Sequence, residues 1–300
     1  ASRGLAQGTP PRARRGSAPR DLESACVCLY SLLASESIME AGMAAPTVKR
    51  ALVHAASVLT TRDRERVLSV DMRPLVIHLL AGLEHAGVER AVVTLGHDAA
   101  QIAECVTAYR FTRLRIDFVY LTIGTVGGVW RNLANSVLAA RTAFEGPAPL
   151  LIVRADNLYD PRLLRQIATA PFGTSRGLKA FALVDSTPAT MQYASMARAR
   201  HNKYWTRVAF ADGDRGRAIR CGTRLGAFDG VVAGEVYASS PVIFDWLATL
   251  FRSSLSASLS DAAAALADRG ELGRIRIPRT STRRILWLPQ SPTQTARCRP

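Results

Sequence analysis

The residue best placed to do chemistry is Asp156. It follows Leu150, Leu151, Ile152 and Val153, an unbroken apolar run flanked by Pro149 and a polar cluster. Such a run predicts a strand buried on both faces, as in parallel sheets. A carboxylate just past the carboxyl end of that strand lies on the edge where open α/β sheets place their ligands. Asp is also common in turns, so a turn residue without chemistry is the competing reading. Asp160 and Pro161 then form an N-cap and first-turn pair, opening a helix with Leu163, Leu164 and Ile167 on one face.

Other reactive side chains form no set. Cys26 and Cys28 make a Cys-x-Cys pair with no second pair at metal-site spacing, and Cys105, Cys221 and Cys298 are scattered. That pattern fits neither a zinc site nor a disulfide framework; reduced thiols and a cytoplasmic location are the expectation. The histidines (His54, His78, His85, His97, His201) show no ligand spacing and read as surface or packing residues. The net charge of +15 resides mostly at the ends. Residues 1–20 hold five arginines and residues 275–300 hold six, with no acidic residue in either stretch, so eleven of the fifteen charges sit there. Basic, Pro/Gly-rich ends are expected to be disordered, with at most weak, non-specific attraction to nucleic acid; the first could also be a transit-type leader. Specific nucleic-acid binding is not indicated, since no recognised motif or aromatic interleaving accompanies the charge. No apolar run approaches the ~18 residues of a membrane span.

The elements that must position Asp156 alternate. Arg50–Ala56 reads as a strand followed by a charged loop, and Pro74–Ala86 as a helix stopped by Gly87. Ala91–Leu95 and Arg115–Tyr120 read as strands, with a helix beginning at Gly96 between them. A glycine loop (IGTVGG) and a helix at Asn135–Phe144 precede the strand that leads to Asp156. This order predicts an α/β, doubly wound, mostly parallel Rossmann-like sheet with right-handed crossovers. Beyond Arg176, Lys179–Val184 is a strand, Thr206–Phe210 and Arg217–Ile219 a hairpin, and Gly230–Tyr237 a further strand. Pro241–Phe251 is a helix, and Ser260–Arg269 another, expected to be capped by Ser260 and stopped by Gly270. The expected organisation is a basic extension at 1–46, one domain at 47–277 and a basic tail at 278–300.

Taken in order, several segments resemble the nucleotidyltransferases that activate sugar phosphates and phospho-alcohols with a nucleoside triphosphate. The resemblance is greatest to cytidylyltransferases acting on inositol phosphate and phosphocholine-like substrates. Met72-Arg-Pro-Leu-Val and the following HLLAGLEHAGVERAVVTLGHDAAQI resemble the family's "RPLI" and "AGI.EIVVVTGY" segments. Ala134–Arg141 resembles its Asn- and Ser-Leu-containing helix, and Arg154-Ala-Asp-Asn-Leu-Tyr-Asp-Pro-Arg-Leu-Leu resembles "GDHLFDPRLL". Thr206-Arg-Val resembles a "TKV" strand, and Gly222–Gly234 resembles "GK.L..YD.VDTG". The match spans roughly residues 50–277 and rests on the order of the pieces.

The resemblance implies a mixed, mostly parallel sheet of the nucleotide-diphospho-sugar transferase type and transfer of a nucleotidyl group, with CTP as the leading donor. Asp156 would hold Mg²⁺ and Arg66 would face the phosphates as catalytic groups. Ala55, Ala56, Asn135 and Ser136 would contact the nucleotide; Arg207 and Thr223 would contact the phospho-alcohol or sugar-phosphate acceptor. Three departures fall on these positions. His54–Arg66 keeps Ala55 and Ala56 but lacks the family's phosphate-loop glycines, leaving Arg62, Arg64 and Arg66 as its positive charge. The family's second metal-binding Asp falls on Val232, expected to face Asp156, and its Lys after Gly falls on Thr223. The alternative function is therefore a nucleotidyltransferase-like binding or regulatory subunit. At the carboxyl end, Thr280–Arg284 matches codons for the family's closing Asp-Val-Asp-Thr-Pro read one base late; an unrelated basic tail is the other reading.

Overall fold

The computed structural model describes residues 47–56, 74–96, 99–121, 133–172, 177–187, 190–191, 206–210, 217–254, 257–277 and 286–287. All lie in one compact unit, 43–300. Arg62, Arg64, Arg66, the glycine loop, residues 1–46 and Thr280–Arg284 fall outside the described residues.

Among the described residues, β1 (Arg50–Ala55), β2 (Arg90–Leu95), β3 (Arg115–Tyr120) and β4 (Leu150–Arg154) form a parallel sheet in the order β3-β2-β1-β4. β1, β2 and β4 are almost wholly buried, as continuous apolar runs in parallel strands require. Alternate side chains feed two apolar layers. Ala51, Val53, Leu151 and Val153 meet α1 (Leu75–His85) and α4 (Pro161–Ala168) on one face; Leu52, Leu150 and Ile152 meet α3 (Leu133–Ala139) and α5 (Val242–Ser253) on the other. α2 (Ala99–Ala108) packs Val106 into the first layer. α4 buries Leu163, Leu164 and Ile167 completely, each contributing about 1.5–3 kcal/mol relative to exposure. Asp160 caps it as expected, accepting from the Arg162 N–H at 2.8 Å.

The sheet then becomes mixed. β9 (Gly230–Ser239) enters antiparallel between β4 and β6 (Ala180–Asp185), and β10 (Leu272–Arg276) adds parallel to β6. β7 (Arg207–Phe210) pairs with β9 and with β8 (Ala218–Gly222), forming the expected hairpin. A second, two-stranded sheet joins β5 (Asn157–Leu158) to β11 (Leu286–Trp287), so two residues beyond 277 pair beside Asp156.

Helix limits differ from expectation by one or two residues at several ends, and two differences change the local structure. The helix foreseen at Asn135–Phe144 is α3 followed by a separate 3-10 turn at Arg141–Ala143. The N-cap of α6 (Leu259–Asp268) is Ser258, in a reciprocal capping box with Asp261. Ser260 lies inside the helix, where its buried hydroxyl bonds Thr206.

Candidate functional site

The site forms where β9 parts from β4. Their ladder pairs Leu150, Leu151 and Ile152 with Ser239, Ala238 and Tyr237 and ends there. On its other side, β9 pairs Tyr237 with Ala182 but Val232 with Val184, so two steps along β6 match five along β9. The extra residues form a bulge in which Gly234 (φ 59°) and Glu235 (φ 53°) are both left-handed. Gly adopts that conformation freely, whereas a residue with a Cβ pays about 1–2 kcal/mol. Tyr159 fastens the bulge: its hydroxyl donates to the Gly234 carbonyl at 3.2 Å and accepts from Asn157 Nδ2 at 3.0 Å.

The strained Glu235 faces Arg154, the last residue of β4. Arg154 donates from Nη1 to Glu235 at 2.7 Å, and from Nε and Nη2 to the two oxygens of Asp156 at 2.9 and 2.5 Å. One guanidinium thus holds two carboxylates, one of them bidentately, with all three side chains 21–27% exposed. Burial opposes ionisation of Asp156, but the hydrogen bonds and charge of Arg154 outweigh it and hold the carboxyl below its usual range. Burial likewise works against the Arg154 charge, and the two carboxylates reverse that and raise its pKa.

His54 lies opposite Arg154 in the β1–β4 register, with Nδ1 hydrogen-bonded to Ser136 Oγ of α3 at 2.6 Å. It is 2% exposed. Burial first and the Arg154 charge second press its pKa down to about 4, partly opposed by Asp156, so the ring is neutral at pH 7.

The other residues singled out in the sequence are placed as follows. Ala55 ends β1 and Ala56 follows it, both buried; Gly96 passes so close that a Cβ there would lie 2.7 Å from the Ala56 carbonyl oxygen. Ser136 is fully buried and committed to His54, whereas neighbouring Asn135 is partly exposed. Arg207 is 3% exposed, donates to the carbonyls of Thr223 and Leu225 at 3.2 Å, and lies over the Phe228 ring. Arg207 and Thr223 are therefore brought together, but as a brace for the segment after β8. Val232 is 4% exposed in the apolar layer with Ile152, Val184 and Val208. The second carboxylate of the site is Glu235, three positions on, and it reaches Asp156 only through Arg154.

Mg²⁺, implied by the sequence resemblance, does not fit this arrangement. Both Asp156 oxygens and one Glu235 oxygen accept from Arg154, and no cluster of three His, Cys, Asp or Glu among the described residues could hold a metal. Sequence reasoning passed over Arg154 and Glu235, although signals for both exist. A charged residue closes an apolar strand at 154, and Gly-Glu interrupts the strand pattern GVVAGEVY, as bulges do.

No family model and no curated protein matches this chain in sequence. Solved structures do match. The inositol-1-phosphate CTP transferase of T. maritima superposes with a TM-score of 0.57 at 16% identity, covering 81% of this chain and 91% of the other. A UDP-glucose pyrophosphorylase complexed with UDP-glucose gives 0.56 at 13% identity, covering 77% and 91%. The UDP-glucose pyrophosphorylase of Acinetobacter baumanii gives 0.58 at 15% identity, covering 80% and 88%. Identities this low speak to architecture alone. With the strand order, the inserted antiparallel β9 and Asp156 at the sheet's carboxyl edge, they show that this chain has the nucleotidyltransferase fold.

Proposed function

We propose that this chain binds a nucleoside triphosphate, CTP in the leading case, at the carboxyl edge of β1 and β4, and acts there as a nucleotide-binding or regulatory subunit. The observation that carries this reading is the Arg154 fork: the edge carboxylate that would organise a transferable triphosphate is already neutralised by a side chain of the same strand. Burial of Arg207 on backbone carbonyls supports it, because the arginine aligned with the acceptor phosphate is spent within the fold. Asn135 and the residues after Ala56, including Arg66, are the proposed nucleotide contacts.

A second reading is nucleotidyl transfer, favoured by the position of Asp156 itself. In it, a phosphate oxygen of a phospho-alcohol or sugar phosphate attacks the α-phosphorus in line. The new P–O bond forms as the bond to the β-phosphate oxygen breaks, and pyrophosphate leaves. Positioning and charge neutralisation would carry such a step.

Calorimetric titration with each of the four NTPs, paired with a pyrophosphate-release assay over a panel of phospho-alcohols and sugar phosphates, separates the two. Saturable binding without pyrophosphate is the expected result. Acceptor-dependent pyrophosphate release would establish transfer, and absence of binding for all four NTPs would refute both readings.

A further inference from the structure

We propose that Arg154 is a built-in cation that keeps the carboxylate pair Asp156–Glu235 closed to divalent metal, so that whatever nucleotide binds at this edge binds without a protein-held metal ion. The inference deepens the nucleotide-binding reading, and rests on it only for what the edge is used for.

The geometry has three parts. First, Arg154 satisfies both carboxylates at once: its Nε–Nη2 edge matches the two oxygens of Asp156, and Nη1 reaches Glu235. A planar fork with fixed donors suits such a pair as a point charge would not. Second, Glu235 is held to this contact against its own backbone preference, at φ 53°, in a bulge secured by Tyr159 and Asn157 to the Gly234 carbonyl. A strained residue persists only where its surroundings over-determine it, and the ion pair with Arg154 is what this conformation achieves. Third, among the described residues the neighbouring positions complete no group of three His, Cys, Asp or Glu that could hold a metal. Val232 is apolar, and His54, opposite Arg154 in the β1–β4 register, already bonds Ser136 Oγ through Nδ1. A hard divalent cation takes six or more oxygens, and here it would first have to displace a bidentate guanidinium. With Arg154 in place the cluster carries one net negative charge; without it, two like charges would stand close together and attract a cation.

The test uses the full-length chain and Mn²⁺ alone, without nucleotide, following loss of the free-ion electron paramagnetic resonance signal. Wild type is expected to leave that signal at its buffer amplitude through the submillimolar range. Arg154→Ala is expected to take up one Mn²⁺ per chain, at least about tenfold more tightly than wild type, and adding Asp156→Asn should abolish the gain. Should Arg154→Ala fail to fold by circular dichroism, Arg154→Lys serves instead: it keeps the charge but loses the fork, and should show the same gain to a smaller degree. Two outcomes overturn the proposal. One is stoichiometric Mn²⁺ binding by wild type that is lost in Asp156→Asn. The other is a folded Arg154 variant that binds no more Mn²⁺ than wild type. Because no nucleotide is present, failure of NTP binding in calorimetry would refute the proposed function and leave this result standing.

Discussion

Acidification from pH 7.5 to pH 5.0 tests the interior beside the site, because His54 titrates there in the unfolded chain and not in the folded one. Its pKa is about 4 in the fold against 6.5 in the open, the cause being burial first and the Arg154 charge second. A depressed folded-state pKa means that the unfolded chain binds the proton more readily. The stability held by neutral His54 is therefore complete above about pH 6.5, falls as pH drops through the window, and reaches its floor below about pH 4. Over the whole window the loss is about 3 kcal/mol; at pH 5.0 the unfolded chain is favoured roughly 30-fold more than at pH 7.5, or about 2 kcal/mol. That is a large part of the 5–15 kcal/mol typical of a domain. Urea unfolding at pH 7.5, 6.5, 5.5 and 5.0, on wild type and on His54→Gln, measures it. Gln keeps a polar partner for Ser136 Oγ but does not titrate, so its stability should change far less over this range, whatever its baseline. Asp156, Asp117 and Glu84 have lowered carboxyl pKa values, so their contributions are lost at lower pH, around and below the unfolded carboxylate range, and are shared by both proteins. If the two proteins lose stability in parallel between pH 7.5 and 5.0, the assignment of a buried neutral imidazole is wrong.

Gly96→Ala would place a Cβ 2.7 Å from the Ala56 carbonyl and 3.1 Å from its Cα, an overlap with backbone that should cost about 1–3 kcal/mol in chemical denaturation; a cost under about 0.5 kcal/mol would show that the β1 and β2 ends are not in contact. Tyr159→Phe removes the hydroxyl that donates to the Gly234 carbonyl and should cost about 1–2 kcal/mol, with faster hydrogen exchange confined to residues 233–236; unchanged exchange there would mean that the bulge is held by other contacts.

The sequence by itself determined most of the elements, though not the strands β5, β10 and β11. Runs such as LLIV at 150–153 and AVVTL at 91–95 are too short for buried helices and too apolar for surface strands, so they commit the chain to parallel strands covered on both faces. The Asp160-Pro161 pair fixed the start of α4 through local geometry alone. The approximate family likeness was legible in the same way, from the order of short segments, and the superposed structures agree with it at the level of fold. Tertiary structure decided the site. Arg154 and Glu235 are 81 positions apart, and nothing local to either states that β9 will slip antiparallel between β4 and β6 and then bulge away. Neighbouring strands are chosen by the packing of whole faces, which is why alignment gave the second carboxylate position to Val232 while the fold supplied Glu235. The same holds for Ser260, which looks like a cap in sequence. Its hydroxyl is drawn inside by Thr206, 54 positions away, and Ser258 caps the helix because its side chain and that of Asp261 satisfy each other's backbone N–H groups. Local rules say which residues are able to cap or carry charge; only the packed fold says which partner is within hydrogen-bond reach, since that interaction fades within a few tenths of an ångström beyond contact.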